Sequence, residues 1–485
     1  LDFLEDGQRL DMALLCLDPA SLPAALDALK THRPRALVLL PHSTPAADPI
    51  ETRAYCQSWG RMNDCLVLGP GALGVQRPHL GLSLGLDPNG APVGRVALVA
   101  QSRMVAAAVL DWAGDIQLGF SAVVSLGPNT AVELPQVLDF LARDAATQSI
   151  LVYMEGIRHA RRFMSALRAA AGSKPVVVMK AGRHAAGSRV AHTHSASIVG
   201  TDDVFEAALR RAGVVRVRQF TQLFSAAQCL ASRFRPVGER LAMVTNGGGP
   251  AVLAADWAQS LGLKVGHVAD LGEDAPPEAY VLAMQAAVAN RDADGVLVLH
   301  APKAGVDSNA IADAVGAAFS PTSKPVLGCW MGEATGRPAR ERLGARKMPV
   351  FRTPEGAVDA FHSIASFYKN QQLLQQTPPP LGGGLAPDTE GARLLIEGVL
   401  AERRKVLTEM ESKALLAAFH IPVTRTMLAR SANEAMLIAS QLGYPVALKI
   451  DSPDISHKSD VQGVALNIMN AASARDTYTD MVQRV

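Results

Sequence analysis

The sequence is poor in several things, and each shortage rules something out. Aromatic residues make up only 5 % of its 485 residues, so stacking platforms for nucleobases are not expected. Its five cysteines, Cys16, Cys56, Cys65, Cys229 and Cys329, are scattered, with no C-x-x-C pair. That argues against a disulfide framework or a zinc knuckle and for a reducing, cytoplasmic setting. No apolar run reaches the roughly 18–20 residues that span a bilayer, and no signal peptide is recognisable at the start. A surplus of one charge is missing too. The net charge of +2 leaves no electrostatic footprint for nucleic acid, so neither nucleic acid nor membrane is an expected partner.

What is present is a large apolar fraction, 48 %, in a chain too long for one core. The chain starts at Leu1 and stops at TYTDMVQRV inside a helical pattern, so it is expected to be a piece of a longer protein. Short apolar, β-branched runs recur, among them ALVLL (36–40), VALVA (96–100), ILVYM (150–154), PVVVM (175–179), LAMVT (241–245), GVLVL (295–299) and PVLGC (325–329). Amphipathic stretches follow them, the signature of βαβ units around buried parallel sheets, so the fold class is α/β. VALVAQSR-MVAAAVLDWA (96–113) and LAMVTNGGGPAVLAADWA (241–258) share one plan of strand, small polar turn and Ala-rich helix. Each is expected to open its own doubly wound domain, although any two βα units look somewhat alike. The stretch QQTPPPLGGGLAPDTEG (375–391) cannot continue helix or strand and reads as a linker. Beyond it, LGYPVALKI (442–450) and DSPDISHKSDVQGVALNI (451–468) suggest a β-rich module that handles a nucleotide.

Three places can carry chemistry. The turns AQSR (100–103) and TNGGGP (245–250) lie between a strand end and a helix start, where free backbone N–H groups and the helix dipole favour an anion. The plain alternative is a tight connection with no ligand. Glu155 ends a strand at the carboxyl edge where open α/β sheets collect ligands, and it could orient an imidazole or simply be structural. The segment 181–200, dense in Gly, Ala and Ser, reads as a long loop carrying His192 and His194, with a new helix capped near Thr201. A metal site there lacks cysteine or acidic partners, and none is expected. A histidine nucleophile near helix N-termini that hold a phosphoryl group is chemically coherent.

The ordered run of AQS, YMEGI, KAGR, HTHSASIVG, AGVVRV, TNGGGP, WMGE (330–333), FRTPEGAVDAF (351–361) and GYPVALKI with DSPDISHKSDVQGV resembles the NDP-forming acyl-CoA synthetases, relatives of succinyl-CoA ligase. It is most similar to the ligase-like part of bacterial fusions that carry a GNAT-type protein lysine acetyltransferase domain. The resemblance implies a remnant of a CoA-binding Rossmann-like domain (1–92) and two flavodoxin-like, succinyl-CoA-ligase-like doubly wound domains (93–235 and 236–370). A linker (371–392) and the start of an ATP-grasp domain (393–485) complete the expected organisation. It implies His194, not His192, as the phosphorylated residue, with Glu155 as its partner. Gln101, Ser102, Asn246, Gly247 and Gly248 become phosphate or CoA contacts, and Lys449, His457 and Lys458 nucleotide contacts. The substrates implied are acyl-CoA, phosphate and ADP or ATP, the nucleotide with Mg2+, in an enzyme expected to be a homo-oligomer.

The sequence departs from the family pattern at Arg103, Gly71, Pro128 and Ala196. Retention of His194 favours turnover. The departures at Arg103, Gly71 and Ala196 favour the alternative, an acetyl-CoA-sensing regulatory region of a protein lysine acetyltransferase.

Overall fold

The apolar, β-branched runs all become parallel strands, since a segment buried on both faces satisfies its backbone best inside a sheet. The computed structural model describes residues 8–40, 48–85, 90–116, 118–127, 130–195, 201–230, 237–320, 324–377, 386–452, 455 and 458–484, without the side chains of residues 49, 115 and 192–195. The chain divides into two units, Leu1–Gln376 and Thr377–Val485.

The first unit holds three sheets. Strands β1 (Met12–Leu15), β2 (Ala36–Leu39) and β3 (Leu66–Leu68) are parallel in sequence order, with helices α1 (Leu22–Leu29) and α2 (Pro49–Met62) between them. Leu26, Leu37 and Trp59 form their core, and the Trp59 indole N–H donates to Leu26 O at 3.1 Å.

The second sheet contains β4 (Gly74–Arg77), β5 (Leu82–Gly85), β6 (Val93–Ala100), β7 (Phe120–Ser125), β8 (Ser149–Met154), β9 (Val176–Lys180) and β10 (Val215–Val217). Its order is β10-β9-β8-β6-β7-β4-β5, parallel except for the antiparallel pairings of β4 at the β7 edge. The helices that accompany it are α3 (Arg103–Asp115), α4 (Leu134–Arg143), α5 (Ala160–Ser173), α6 (Ala185–Ser195), α7 (Asp202–Arg211) and α8 (Phe220–Leu230).

The third sheet contains β11 (Arg240–Thr245), β12 (Lys264–Asp270), β13 (Gly295–His300), β14 (Val326–Trp330) and β15 (Val350–Phe351), all parallel, in the order β12-β11-β13-β14-β15. Its helices are α9 (Gly248–Ser260), α10 (Pro277–Ala289), α11 (Ser308–Ala318), α12 (Gly336–Ala345) and α13 (Pro354–Gln375). The parallel strands of the second and third sheets therefore follow one order, 2-1-3-4-5, the flavodoxin-like arrangement. The shared plan read at 96–113 and 241–258 marks the first strand of each.

Successive residues of β6 alternate between faces: Leu98 and Ala100 join one core cluster, Ala97 and Val99 another. Both faces are covered by helices, and each fully buried Val or Leu contributes about 1.5–3 kcal/mol. Phe361 and Ile364 of α13 belong to the same cluster as Leu98 of the second sheet and Leu297 of the third. Asp359 of α13 accepts from Gln222 Nε2 (3.0 Å) of α8 and Trp257 Nε1 (2.9 Å) of α9. Further along α13, Asn370 Nδ2 donates to Val214 O at 2.7 Å, and Gln371 Nε2 to Gly213 O at 2.9 Å. One helix thus fastens both sheets.

The second unit contains α14 (Thr389–Ala401), α15 (Glu409–Ala418), α16 (Ala432–Leu442), an antiparallel pair β16 (Val446–Lys449) and β17 (Val464–Ile468), and α17 (Ala471–Arg484). Its small core gathers Ala439, Ile468 and Ala474 under Tyr444, Val446 and Leu448.

Three expectations need correcting. The segment read as a loop is helical from Ala185 to Ser195: its three alanines and Arg189 favour helix and no proline interrupts it. Helix α13 continues through Gln375, past residue 371 where the linker was expected to begin, because Asn370 and Gln371 are tied to backbone carbonyls. The C-terminal unit is mainly helical among the described residues rather than β-rich. Its amphipathic helices cover one face of a two-stranded ribbon.

Candidate functional site

In a 2-1-3-4-5 sheet the chain leaves strands 1 and 3 toward opposite faces, opening a crevice at their carboxyl ends. In the second sheet this point lies between β6 and β8, and Gln101 fills it. Its side-chain oxygen accepts the backbone N–H groups of Glu155 (2.6 Å) and Gly156 (3.2 Å), while its Nε2 donates to Gly156 O at 2.9 Å. The Gln101 amide thus prolongs the β ladder past the place where the strands part. Glu155 is buried, at 5 % exposure, and Tyr153 Oη donates to its Oε1 at 3.2 Å. Burial, followed by the adjacent carboxylate and its hydrogen bond, raises the Tyr153 pKa and keeps the phenol a donor. Ser102, also buried, is the N-cap of α3 and accepts Val105 N–H at 3.4 Å; Arg103 begins the helix and is exposed.

The third sheet repeats the device. Asn246 sits between β11 and β13, where its Nδ2 donates to Ala301 O and its Oδ1 accepts Ala301 N–H, both at 2.9 Å. Gly247 is the N-cap of α9, which begins at Gly248. A Cβ built on Gly249 meets nothing within 4 Å, and those on Gly247 and Gly248 meet only atoms at 3.9 and 4.0 Å. None of the three has a left-handed φ. The fold itself therefore does not require these glycines; the Gly247 N–H donates to Thr245 Oγ1 at 3.2 Å and Pro250 carries no N–H, so the open backbone donors of this helix start are those of Gly248 and Gly249. Beneath Ala301, the buried His300 ring bridges Tyr280 Oη and Ser308 Oγ, each at 2.8 Å, and burial pushes its pKa down to about 4.

The sequence reading assigned Gln101 and Asn246 to a ligand. In the structure both side-chain amides bond neighbouring backbone and brace the crevices, beside helix starts that carry further backbone donors.

His194 lies on α6, the helix that follows β9. Strand β9 pairs with β8 in register Met154↔Lys180, so α6 is entered from the same sheet edge that carries Glu155. The side chains of His192 and His194 lie outside the described residues. Lys180, which sequence reasoning missed, is buried at the last position of β9. Its ammonium donates to Ala181 O (3.0 Å) and Gly182 O (3.4 Å) and sits 4.6 Å from the centre of the Phe205 ring. Burial lowers its pKa, an effect that Asp202 opposes. The signals in the sequence were a lysine closing an otherwise apolar strand and its place at the head of the KAGR motif. After the histidine segment, α7 is anchored by Arg216, which pairs with Asp202 and, at 2.6 Å, with Glu206. Among the described residues, no group of three or more His, Cys, Asp or Glu side chains is placed to hold a metal ion.

In the second unit, Lys449 ends β16 and Lys458 begins the turn before β17. Both converge on Glu409, at 3.3 Å (Oε1) and 3.0 Å (Oε2). Lys413 reaches Glu409 Oε1 at 3.0 Å and also donates to Thr424 and Thr426. Partial burial would raise the Glu409 pKa, but hydrogen bonds from Lys458, Lys413 and Lys449 outweigh it and hold the carboxyl at about 2. The cluster lines a cavity of ≈ 670 Å³. Glu409 and Lys413 were not singled out from sequence, and His457 lies outside the described residues.

Comparison with known proteins adds the following. A family described as succinyl-CoA ligase like flavodoxin domain matches residues 93–230, and an ATP-grasp domain family matches residues 398–485. Acetate–CoA ligase [ADP-forming] I of Archaeoglobus fulgidus is 32 % identical over 423 residues, which cover 83 % of this chain and 60 % of the relative. The corresponding ADP-forming ligase of Methanocaldococcus jannaschii is 24 % identical over 97 % of this chain and 70 % of its own length. The chain thus spans less than two thirds of the Archaeoglobus protein. In fold it is similar to dinucleotide forming acetyl-coenzyme A synthetase 1 of Ca. Korarchaeum cryptofilum in complex with phosphate and ADP. The TM-score is 0.70 at 23 % identity, covering 77 % of this chain and 86 % of that one.

Proposed function

Because the chain is a homologue of the ADP-forming acetate–CoA ligases, we propose that it works in an enzyme interconverting acyl-CoA, ADP and phosphate with free acid, CoA and ATP. The observation that carries the reading is the pair of braced crevices, each beside a helix start whose backbone donors suit a phosphoryl group.

In the acyl-CoA-consuming direction, a phosphate oxygen attacks the thioester carbonyl and the C–S bond breaks, giving acyl phosphate and CoA thiolate. An imidazole nitrogen of His194 then takes the phosphoryl group, breaking the P–O bond and releasing the carboxylate. Finally a β-phosphate oxygen of ADP takes the group from His194 and forms ATP. One difficult exchange becomes two phosphoryl transfers. Glu155, held by Gln101 and Tyr153, steadies the charged imidazole, and the helix starts at Ser102 and Gly248 receive the anion. Gln101, Asn246 and Gly247 shape those starts. Lys449 and Lys458, with His457, meet the nucleotide phosphates. The same proposal includes the five-part domain division given above, with the linker starting after the end of α13 at Gln375, and a cytoplasmic homo-oligomer. Among the described residues no helix is long and apolar enough to cross a membrane.

The resemblance expects Mg2+ with the nucleotide. Glu409, held by three ammonium groups, is not placed to be its ligand, the ion being expected with the nucleotide mostly on residues other than these, and no step is routed through the metal. Kinship with ligases supports turnover over the acetyl-CoA-sensing alternative. Gly71, one of the departures behind that alternative, has φ +78°, a left-handed conformation that glycine adopts without strain.

The test is to incubate the full-length protein with acetyl-CoA and labelled phosphate. Acid-labile, base-stable label is expected on the protein and not on His194→Ala. No label, or label that survives the substitution, overturns the relay.

A further inference from the structure

The cluster in the second unit contains a relationship the proposed reaction does not use: one carboxylate is shared by both lysines assigned to the nucleotide. Lys449 and Lys458 meet opposite oxygens of Glu409, and their side chains are 44 % and 19 % exposed. An ammonium has three donors, and among the described residues each of these two donates only to Glu409. Among the described residues, donors on both therefore remain for a second anion. On the other side, Lys413 holds Glu409 from four residues further along the same helix and is itself fixed by Thr424 and Thr426.

We propose that Glu409 is a positioning residue for nucleotide binding: fixed by Lys413, its carboxylate sets the spacing at which Lys449 and Lys458 meet the phosphates of a nucleoside diphosphate. This rests on the reading of that cavity as the nucleotide site. Three positive charges against one negative leave the cluster attractive to phosphate with Glu409 in place, so the carboxylate need not leave for the ligand to bind. Removing it would leave three ammonium groups repelling one another and free to splay into solvent. A carboxylate that merely blocked the phosphate position would have the opposite effect on affinity, so the sign of the change separates the two roles.

The test titrates MgADP into the full-length protein by calorimetry, using wild type, Glu409→Gln, Glu409→Asp, Lys413→Met and Lys449→Met/Lys458→Met, at low and high salt. The expected result is an ADP Kd raised roughly tenfold by Glu409→Gln, partly restored by Glu409→Asp and also raised by Lys413→Met. Thermal melts of each variant separate lost folding from lost positioning. If Glu409→Gln does not fold, Glu409→Asp and Lys413→Met decide. Unchanged or tighter ADP binding in Glu409→Gln, or in both other variants, overturns the proposal. If wild type does not bind ADP, or the double lysine variant binds it as well as wild type, the nucleotide reading itself fails.

Discussion

The side-chain oxygen of Gln101 accepts the backbone N–H of Glu155 at 2.6 Å, across the point where β6 and β8 part. A residue read as a phosphate contact thereby fixes the backbone of the carboxylate proposed to serve His194. Gln101→Leu is expected to strand the Glu155 and Gly156 N–H groups, costing about 1–3 kcal/mol. Phosphohistidine formation should slow roughly ten- to a hundredfold, as the carboxylate loses its place. Denaturant melts and the labelling rate read the two effects separately. A stable variant that labels at the wild-type rate contradicts the positioning role.

Asn246 supports the same prediction in the other crevice. Asn246→Leu loses both bonds to Ala301 and should cost ~1–3 kcal/mol in a melt. Because the amide spans only backbone, Asn246→Asp is expected to recover little. Its carboxylate can accept Ala301 N–H but cannot donate to Ala301 O.

The glycine-rich start of α9 makes a prediction of opposite signs. Gly249→Ala meets no neighbour within 4 Å and should stabilise the helix by ~0.5–1 kcal/mol. The added methyl stands beside the bare N–H groups, so the labelling reaction should need more phosphate, with the half-saturating concentration raised several-fold. A variant that is more stable and equally easy to saturate would show that the helix start holds no anion.

His300 gives a pH dependence. Its folded pKa lies near 4, against an ordinary value of 6.5, because burial disfavours the imidazolium. Between those values the unfolded chain binds more protons, so stability is full above pH 6.5 and is lost as pH falls toward 4, by up to roughly 3 kcal/mol. His300→Gln should flatten this part of the curve of melting temperature against pH, at the cost of lower stability near neutrality.

Much of the frame was legible because it depends on local pattern. Unbroken apolar runs such as VALVA and LAMVT are the marks of strands covered on both faces, and the kinship of 96–113 with 241–258 extended to the whole strand order. The details of the site depend on pairs that no local pattern connects. Nothing beside Gln101 points to Glu155, and nothing beside Lys449 points to Glu409, 40 residues earlier. The histidine segment was misread for a different reason. Small residues suggested a loop, but alanines without proline favour helix, and α6 takes that choice.

Helix α13 has a mechanical consequence. Asp359 ties α8 of one sheet to α9 of the other, while Asn370 and Gln371 clamp the far end. Joined like this through one core, the two sheets are built as two sides of one girder rather than leaves on a hinge. If the proposed relay needs the phosphoryl carrier to travel, that travel would fall on α6, the helix carrying His194, which a short connection joins to Lys180 at the end of β9.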